Sequence, residues 1–192
     1  MPQRRGRGLT DGSGRSSMPE PVPVELDAEA ILAVLLRHEV RFVVIGGFAA
    51  LLYGDPGVTV GVDITPAPAH DNRERLSGAL AELDAKVRVP GLVEPLAVHI
   101  DAAYLDRFTT LTLRTAHGDL DVTFAPDAPG RTTFTYEELA ARAIVIDIGL
   151  PVPVAGLDDV IASKVAAGRP KDLEDLTRLY ELRAERQREP GG

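Results

Sequence analysis

The chain has 192 residues, which is enough for one domain with a hydrophobic core and leaves little room for a second. Its 44% apolar and 26% charged residues are ordinary for a globular protein, and no apolar run approaches the roughly 20 residues of a transmembrane helix. The absence of cysteine excludes disulfides and thiolate metal ligands and favours a cytoplasmic protein. The net charge of −8 argues against a broad nucleic-acid-coating surface, although not against a local basic groove.

Residues 1–24 are predicted to be a disordered tail, because they contain Gly, Ser, Pro and Arg and almost no large apolar side chain. Four arginines against one aspartate give residues 1–17 a charge of +3, which leaves −11 for the remainder. This tail either contacts a polyanion or is simply solvated, and we favour the solvated alternative, with Met18 as a second candidate initiator. No apolar segment of a secretory signal is expected, and residues 25–189 are predicted to form a single domain.

The chain is organised around residues 42–65, FVVIGGFAALLYGDPGVTVGVDIT. We predict a strand over 42–45, a tight turn at Gly46 and Gly47, a helix over 48–53 and a turn at 54–57. An alternating strand follows, with the apolar residues Val58, Val60, Val62 and Ile64 on one face and Thr59, Gly61, Asp63 and Thr65 on the other. Such a strand either carries a site on its polar face or is an edge strand with a solvated face.

The remaining pattern alternates between helices and strands. Helices are predicted over 27–38, 71–83, 136–142, 156–167 and 170–188, with a helical turn over 101–107. Strands are predicted over 86–89, 108–115, 119–124, 143–148 and 152–154. Helices that cover the apolar side of a small mixed sheet, and two C-terminal helices, give an α+β fold.

Two carboxylates are candidates for a metal site. Asp121, like Asp63, lies on the polar face of a strand whose other face is apolar. Carboxylates from neighbouring strands hold a divalent cation through hard oxygen ligands, and such a cation can bridge them to a triphosphate. The backbone N–H groups at Gly46 and Gly47 suit an anion, although a plain tight turn explains these glycines equally well.

Lys164 and Asp172 are candidates for the C-terminal half of the site. The spacing of Leu157, Val160 and Ile161 predicts that Lys164 lies on the buried face of its helix, where a lysine either snorkels or binds a phosphate. Asp172 in the first turn of the last helix either complements the helix dipole, orients Lys164 or binds the metal. The four histidines have no metal-ligand spacing, and no Walker A or dinucleotide motif is present.

These motifs resemble those of a known superfamily. VIGGFAA at 44–50, Gly54 and the pattern Thr59-x-Gly61-x-Asp63 look like the opening motif of the polymerase-β-type nucleotidyltransferases. GDLDV at 118–122 looks like the strand of the third carboxylate. LDDVIASKVAAGRPKDLEDL at 157–176 resembles the C-terminal signature of the AbiEii-like and MenT-like toxins of toxin–antitoxin systems. The resemblance covers residues 40–182.

The resemblance implies a nucleotidyltransferase-like core and a metal-dependent enzyme that transfers a nucleotide from a nucleoside triphosphate to an acceptor such as the 3′ end of tRNA. It implies Mg²⁺ on Asp63 and Asp121, triphosphate contacts from Gly46, Gly47, Thr59 and Lys164, and catalytic roles for Asp63, Lys164 and Asp172. A cognate antitoxin is an implied partner. The alternative is a catalytically attenuated or inactive member of the fold that binds a nucleotide or a partner.

Two positions depart from the superfamily pattern Arg-x-Thr-x-Asp-x-Asp. Gly57 stands at the arginine and Gly61 at the first aspartate, so one ligand of the expected metal pair is missing. Because metal ions supply several kcal/mol of charge stabilisation, weak, one-metal or absent catalysis is an open expectation. Asp119 and Asp55 are the nearby carboxylates that could take the place of the missing ligand.

Overall fold

The structure is a computed structural model that describes residues 25–188, except for the side chains at positions 131, 132, 170, 171, 173 and 174. The predicted tail over residues 1–24 lies outside the described part of the chain. Within residues 25–188, no helix combines the length and the apolar character needed to cross a membrane.

The described residues form seven helices and nine strands. The helices are α1 (Ala28–Arg37), α2 (Gly46–Leu52), α3 (His70–Glu82), α4 (Ala102–Leu105), α5 (Tyr136–Arg142), α6 (Leu157–Ala167) and α7 (Pro170–Arg188). The strands are β1 (Phe42–Ile45), β2 (Gly61–Pro66), β3 (Lys86–Val87), β4 (Thr110–Thr115), β5 (Gly118–Thr123), β6 (Asp127–Ala128), β7 (Arg131–Thr133), β8 (Ile144–Asp147) and β9 (Pro151–Val154). The short β6–β7 hairpin was not predicted from the sequence.

Seven of these strands form one mixed sheet in the order β3-β4-β5-β2-β1-β9-β8. The central strand β2 runs parallel to β5 and antiparallel to β1, and β1 is parallel to β9. The hairpins β4–β5 and β8–β9 extend the sheet on either side of this centre. The predicted α+β class, with a mixed sheet, helices packed on it and two C-terminal helices, is confirmed.

Strand β2 is shorter than the alternating pattern predicted. Val62 and Ile64 are fully buried, but Val58 and Val60 are 95% and 73% exposed. The pairing explains the difference, because β5 begins at Gly118 and β1 leaves the sheet after pairing Ile45 with Asp63. Residues 58 and 59 therefore extend past both neighbouring strands, and Val60 reaches only the level of Gly118, the first residue of β5.

The first helix after β1 also begins earlier than predicted. Gly46 and Gly47 form the first turn of α2 and do not make a separate turn before it. Gly46 has a φ of +68°, which glycine adopts without the cost that a side chain imposes. The backbone consequently enters α2 directly from the end of β1, next to β2.

The two C-terminal helices follow the predicted boundaries closely. Gly168 ends α6 in the left-handed conformation, with φ +58°, and α7 packs against α6. The helical spacing of Leu173, Leu176, Leu179 and Tyr180 predicts that they form the inner stripe of α7. Leu176 and Leu179 are buried in the core, as predicted. Tyr180 is exposed, so its predicted place in the inner stripe is wrong, and the side chain of Leu173 lies outside the description.

Candidate active site

Asp63 and Asp121 lie side by side at the centre of the sheet. Strands β2 and β5 are parallel, and their register pairs Asp63 with Asp121 and Gly61 with Asp119. Since residues two apart on a strand share a face, Asp63, Asp119 and Asp121 all belong to one face of the sheet. The carboxylates of Asp63 and Asp121 are the kind of hard oxygen donors that Mg²⁺ takes in proteins, but the described residues contain no cluster of three or more such ligands that could hold a metal ion.

The carboxylate of Asp119 is engaged by two arginines. Nη1 of Arg88 donates to Oδ2 of Asp119 at 2.7 Å, and Nε of Arg114 donates to Oδ1. Nη1 of Arg88 also lies 3.9 Å from Oδ1 of Asp121. The guanidinium of Arg88 therefore bridges Asp119 and the predicted metal ligand beside it.

Sequence reasoning did not identify Arg88 and Arg114. The contact of Arg114 with Asp119 could have been predicted from the sequence. A hairpin closed at residues 116–118 places Arg114 opposite Asp119, and the register of β4 and β5 shows this pairing. Arg88 follows the short strand β3, in a segment rich in proline and glycine where the sequence does not fix the register. Its proximity to Asp121 arises from the tertiary structure alone.

The first turn of α2 lies directly against the polar face of β2. A Cβ atom on Gly46 would be 2.7 Å from Cγ of Asp63, closer than real Cβ contacts. A Cβ atom on Gly47 would be 3.3 Å from Oγ1 of Thr59, and that hydroxyl donates to the carbonyl of Gly61 at 2.9 Å. The residues predicted to contact phosphates are thus adjacent to Asp63, while their role stays a prediction.

Lys164 is enclosed by carboxylates of α7. It is only 7% exposed, as the helical pattern predicted, and Nζ lies 2.5 Å from Oδ2 of Asp175 and 3.5 Å from Oδ1 of Asp172. Asp172 is completely buried and accepts a hydrogen bond from Nε of Arg169 at 2.7 Å. Asp175, which was not proposed as a site residue, is therefore the closer partner of Lys164.

The pKa of Asp172 is low although its side chain is buried. Burial opposes ionisation, but the hydrogen bond and charge of Arg169, together with Lys164, outweigh it, so the pKa of Asp172 lies below its ordinary value. The side chain of Arg169 is 59% exposed, in contrast to that of Lys164. Arg169 is consequently the more accessible cation of this cluster.

The Lys164 cluster and the carboxylates lie on the same side of the sheet. Gly46, which covers Asp63, lines one small cavity together with Ser163, the residue before Lys164. The pKa of Arg169 is raised first by its hydrogen bond to Asp172, and the negative charge of Asp63 contributes to the same shift. The structure therefore brings Asp63 and the Lys164–Asp172 pair into one region, although 101 positions separate Asp63 from Lys164.

A second ion-pair chain ties the loop before β2 to α7. Nε of Arg178 donates to Oδ1 of the buried Asp55 at 2.7 Å, and its Nη2 donates to Asp175 at 2.5 Å. Nη2 of Arg178 also lies 3.3 Å from where a Cβ atom on Gly57 would stand. Asp55 therefore forms an ion pair with Arg178 of α7, and Asp175 links Arg178 to Lys164.

An open cavity of about 1230 Å³ lies along β3, β4 and the segment that follows β3. Arg88 and Arg114 line it, so the cavity reaches the arginines that hold Asp119. Lys86 and the exposed Leu92 and Val93 also line it. The cavity is therefore a groove next to the arginines that contact Asp119, and neither Asp119 nor Asp121 lines it.

No family model matches the sequence, and no curated protein matches it. Several solved structures match the fold. A candidate nucleotidyltransferase, TM1012 from Thermotoga maritima, is 18% identical with a TM-score of 0.50, and the match covers 80% of this chain and 89% of that chain. The lincosamide antibiotic adenylyltransferase LnuA, bound to lincomycin, is 13% identical with a TM-score of 0.54, over 82% and 99% of the two chains.

A third match is ANT(2")-Ia in complex with adenylyl-2"-tobramycin, which is 17% identical with a TM-score of 0.50 over 83% of this chain and 95% of that chain. At these identities the likeness establishes the fold. The chain has the fold of nucleotidyltransferases, as the sequence motifs predicted.

Proposed function

We propose that this protein is a nucleotidyltransferase that moves a nucleoside monophosphate from a nucleoside triphosphate to an acceptor. The observation that carries the proposal is the juxtaposition of Asp63 and Asp121 in parallel register beneath Gly46, on the same side of the sheet as the Lys164 cluster. The nucleotidyltransferase fold supports it independently, because the solved structures with this fold include two antibiotic adenylyltransferases.

Asp63 and Asp121 are the residues that would hold Mg²⁺. A divalent ion bound there supplies charge neutralisation at the reacting phosphorus. Gly46 and Gly47 would contact the phosphates through the backbone at the start of α2, and Thr59 would order the loop beside them through its bond to Gly61.

Two cations, Lys164 and Arg169, would lie near the triphosphate in our proposal. Lys164 is enclosed by Asp172 and Asp175, so binding a phosphate through Nζ requires it to exchange at least one carboxylate partner. Arg169 is also bonded to Asp172, through Nε and Nη2, but its side chain is 59% exposed, so its other N–H groups could reach a phosphate while that pair is kept. Asp172, held by both cations, would keep them in place.

The acceptor would approach through the groove lined by Arg88 and Arg114. The groove has three cations, Lys86, Arg88 and Arg114, against the acids Asp84 and Glu94. Arg88 and Arg114 pair with Asp119 and Lys86 pairs with Asp84, so each would have to exchange a partner to contact an acceptor phosphate. The C-terminal resemblance at residues 157–176 is what supports an acceptor such as the 3′ end of a tRNA and a toxin whose activity a cognate antitoxin restrains.

The rival function is a silent nucleotide- or partner-binding module. Gly61 favours it, because the superfamily's first carboxylate is missing at that position. Binding of a triphosphate does not separate the two functions, since both predict it. Only transfer does.

The decisive experiment is incubation of the full chain with each α-labelled nucleoside triphosphate, Mg²⁺ and total tRNA. We expect label on RNA with the wild-type protein and at least a roughly hundredfold lower rate with Asp63→Asn or Asp121→Asn, because each change removes a charged metal ligand. Asp106→Asn is the matched control, since that carboxylate is exposed and pairs with Arg73. Absence of label on RNA and protein at high enzyme concentration would favour the silent module.

Growth inhibition tests the toxin context. We expect expression of the wild-type protein to slow growth, and Asp63→Ala or Lys164→Ala to abolish the effect at equal protein levels. Inhibition that survives both substitutions would contradict the assigned site.

A further inference from the structure

Both carboxylates that enclose Lys164 are also bonded to an arginine. Nη2 of Arg178 donates to Oδ1 of Asp175 at 2.5 Å, while Nζ of Lys164 lies against the other oxygen, Oδ2. Arg169 donates to Asp172 through Nε, at 2.7 Å from Oδ2. Each carboxylate therefore keeps a positive neighbour when Lys164 moves away from it.

A second carboxylate fixes the position of the Arg178 guanidinium. Its Nε donates to Oδ1 of Asp55 at 2.7 Å, and Asp55 is only 6% exposed. Asp55 belongs to the loop between α2 and β2, which also carries Thr59. A guanidinium bonded to a buried carboxylate stays in place when a neighbouring side chain moves, because leaving would strand that carboxylate without its partner. Arg178 therefore presents a stationary positive charge to Asp175.

The formal charges of this cluster balance. Three cations and three carboxylates form it among the described side chains: Lys164, Arg169 and Arg178 with Asp55, Asp172 and Asp175. A lysine enclosed by two carboxylates that had no other cation would be held tightly, since its departure would leave two unpaired charges in a largely buried place. The arginines lower that cost, and Lys164 consequently becomes exchangeable.

We propose that Arg178 is a positioning residue that lets Lys164 exchange Asp175 for a phosphate of the triphosphate. In the structure, Asp175 is shared by the two cations, one on each oxygen. When a phosphate binds Nζ of Lys164, Asp175 stays on Arg178 and its charge stays paired. This inference rests on the proposed function and assigns a role in triphosphate binding to a side chain that itself does not contact the triphosphate.

The test measures binding of tripolyphosphate with Mg²⁺ to the full chain by calorimetry, a probe of the phosphate contacts that requires no choice of base. In Arg178→Gln the carboxylate of Asp175 loses its guanidinium, and Lys164 is the cation that remains in contact with it among the described side chains. We expect tripolyphosphate to bind about three- to tenfold more weakly. In the transfer assay, KM for the triphosphate should rise by more than kcat falls.

A double variant separates this effect from loosening of the loop that Asp55 anchors. Arg178→Gln combined with Asp175→Asn removes the carboxylate that would retain Lys164, so tripolyphosphate affinity is expected to return to at least the wild-type value. A loss transmitted through Asp55 and its loop would persist, because the change at Asp175 does not restore the bond to Asp55.

Arg183→Gln is the matched control for Arg178→Gln. It breaks another ion pair between α6 and α7, that of Arg183 with Asp158, and the side chain of Arg183 is 42% exposed against 34% for Arg178. Tripolyphosphate affinity is expected to stay within roughly twofold of the wild type. Far-ultraviolet circular dichroism confirms that each variant is folded before binding is measured.

Asp175→Asn alone carries the test where Arg178→Gln does not fold. With the closer carboxylate partner of Lys164 gone, tripolyphosphate is expected to bind about two- to fivefold more tightly. Loss of a merely structural ion pair would not strengthen binding, so an affinity that fails to rise overturns the inference.

Two outcomes in folded, transfer-active variants overturn the inference and leave the proposed function intact: wild-type tripolyphosphate affinity in Arg178→Gln, or a double variant that binds as weakly as Arg178→Gln. A wild-type chain that neither binds tripolyphosphate nor transfers label removes both the inference and the proposed function. Weaker binding in Arg178→Gln that Asp175→Asn restores supports the inference.

Discussion

Gly46 lies so close to Asp63 that a Cβ atom on the glycine would stand 2.7 Å from Cγ of the carboxyl group. The contact joins the first turn of α2 to the polar face of β2. It fixes the carboxylate directly beneath the backbone that we propose contacts the triphosphate. The glycine is thus required by two separate constraints, its φ of +68° and the absence of a side chain.

Gly46→Ala is expected to abolish transfer as well as to destabilise the fold. The positive φ alone costs about 1 kcal/mol with a side chain, and the clash must in addition displace Asp63 or α2. Gly130→Ala is the control, because Gly130 has the same φ of +68° and no atom within 4 Å of the added Cβ. Thermal denaturation and transfer assays should show loss of stability in both variants and loss of transfer in Gly46→Ala alone.

Restoring an aspartate at position 61 is expected to fail by itself. Gly61→Asp forces atoms into the space of Asp119, and such overpacking costs about 1–3 kcal/mol. Asp119→Gly removes the clash with Cβ but leaves the carbonyl oxygen of residue 119 at 2.9 Å from the added Cβ, so the double variant is expected to recover only part of the stability lost in Gly61→Asp. Urea denaturation of both single variants and the double variant measures this coupling, and strictly additive losses would contradict the steric relationship.

The ion pair between Asp55 and Arg178 is expected to anchor the loop before β2. Arg178→Met leaves the buried Asp55 carboxylate without its guanidinium partner, so the variant should unfold at lower temperature than the wild type. Asp55→Asn combined with Arg178→Met removes both charges and should recover part of that loss. A double variant as unstable as the sum of the single ones would mean that the two residues do not interact.

Asp172 gives stability a defined dependence on pH. The pKa of this carboxyl lies below its ordinary value of 3.8, because Arg169 and Lys164 outweigh its burial. A carboxyl with a lowered folded-state pKa stabilises the fold above the unfolded-state value, and the contribution is lost as pH falls through the folded-state value. Urea denaturation across the acid range should therefore show a smaller loss of stability below pH 3.8 for Asp172→Asn than for the wild type.

Arg169→Gln tests the cause of that shift. Because Arg169 donates the 2.7 Å hydrogen bond to Asp172, its removal should raise the pKa of Asp172 and move the loss of stability to higher pH. An unchanged pH dependence in Arg169→Gln would assign the shift to Lys164.

Local chemistry made most of the elements predictable. Asp27 caps α1, Thr135 and Glu138 form a capping box at α5, and Gly168 ends α6, and each of these signals is read from a few neighbouring residues. Burial of Lys164 followed from helical spacing in the same way. The β6–β7 hairpin was missed because its strands are too short to carry an alternating pattern.

The sequence by itself determined the α+β class, the shared polar face of Asp63 and Asp121 and the inward position of Lys164, because strand and helix periodicity are local properties of the chain. Only the tertiary structure decided that Asp119 fills the space above Gly61, that Arg88 reaches Asp121 and that Arg178 reaches Asp55. These contacts join residues 33 to 123 positions apart and depend on how the strands and α7 pack. No local pattern encodes such distances, since packing of the whole core sets them.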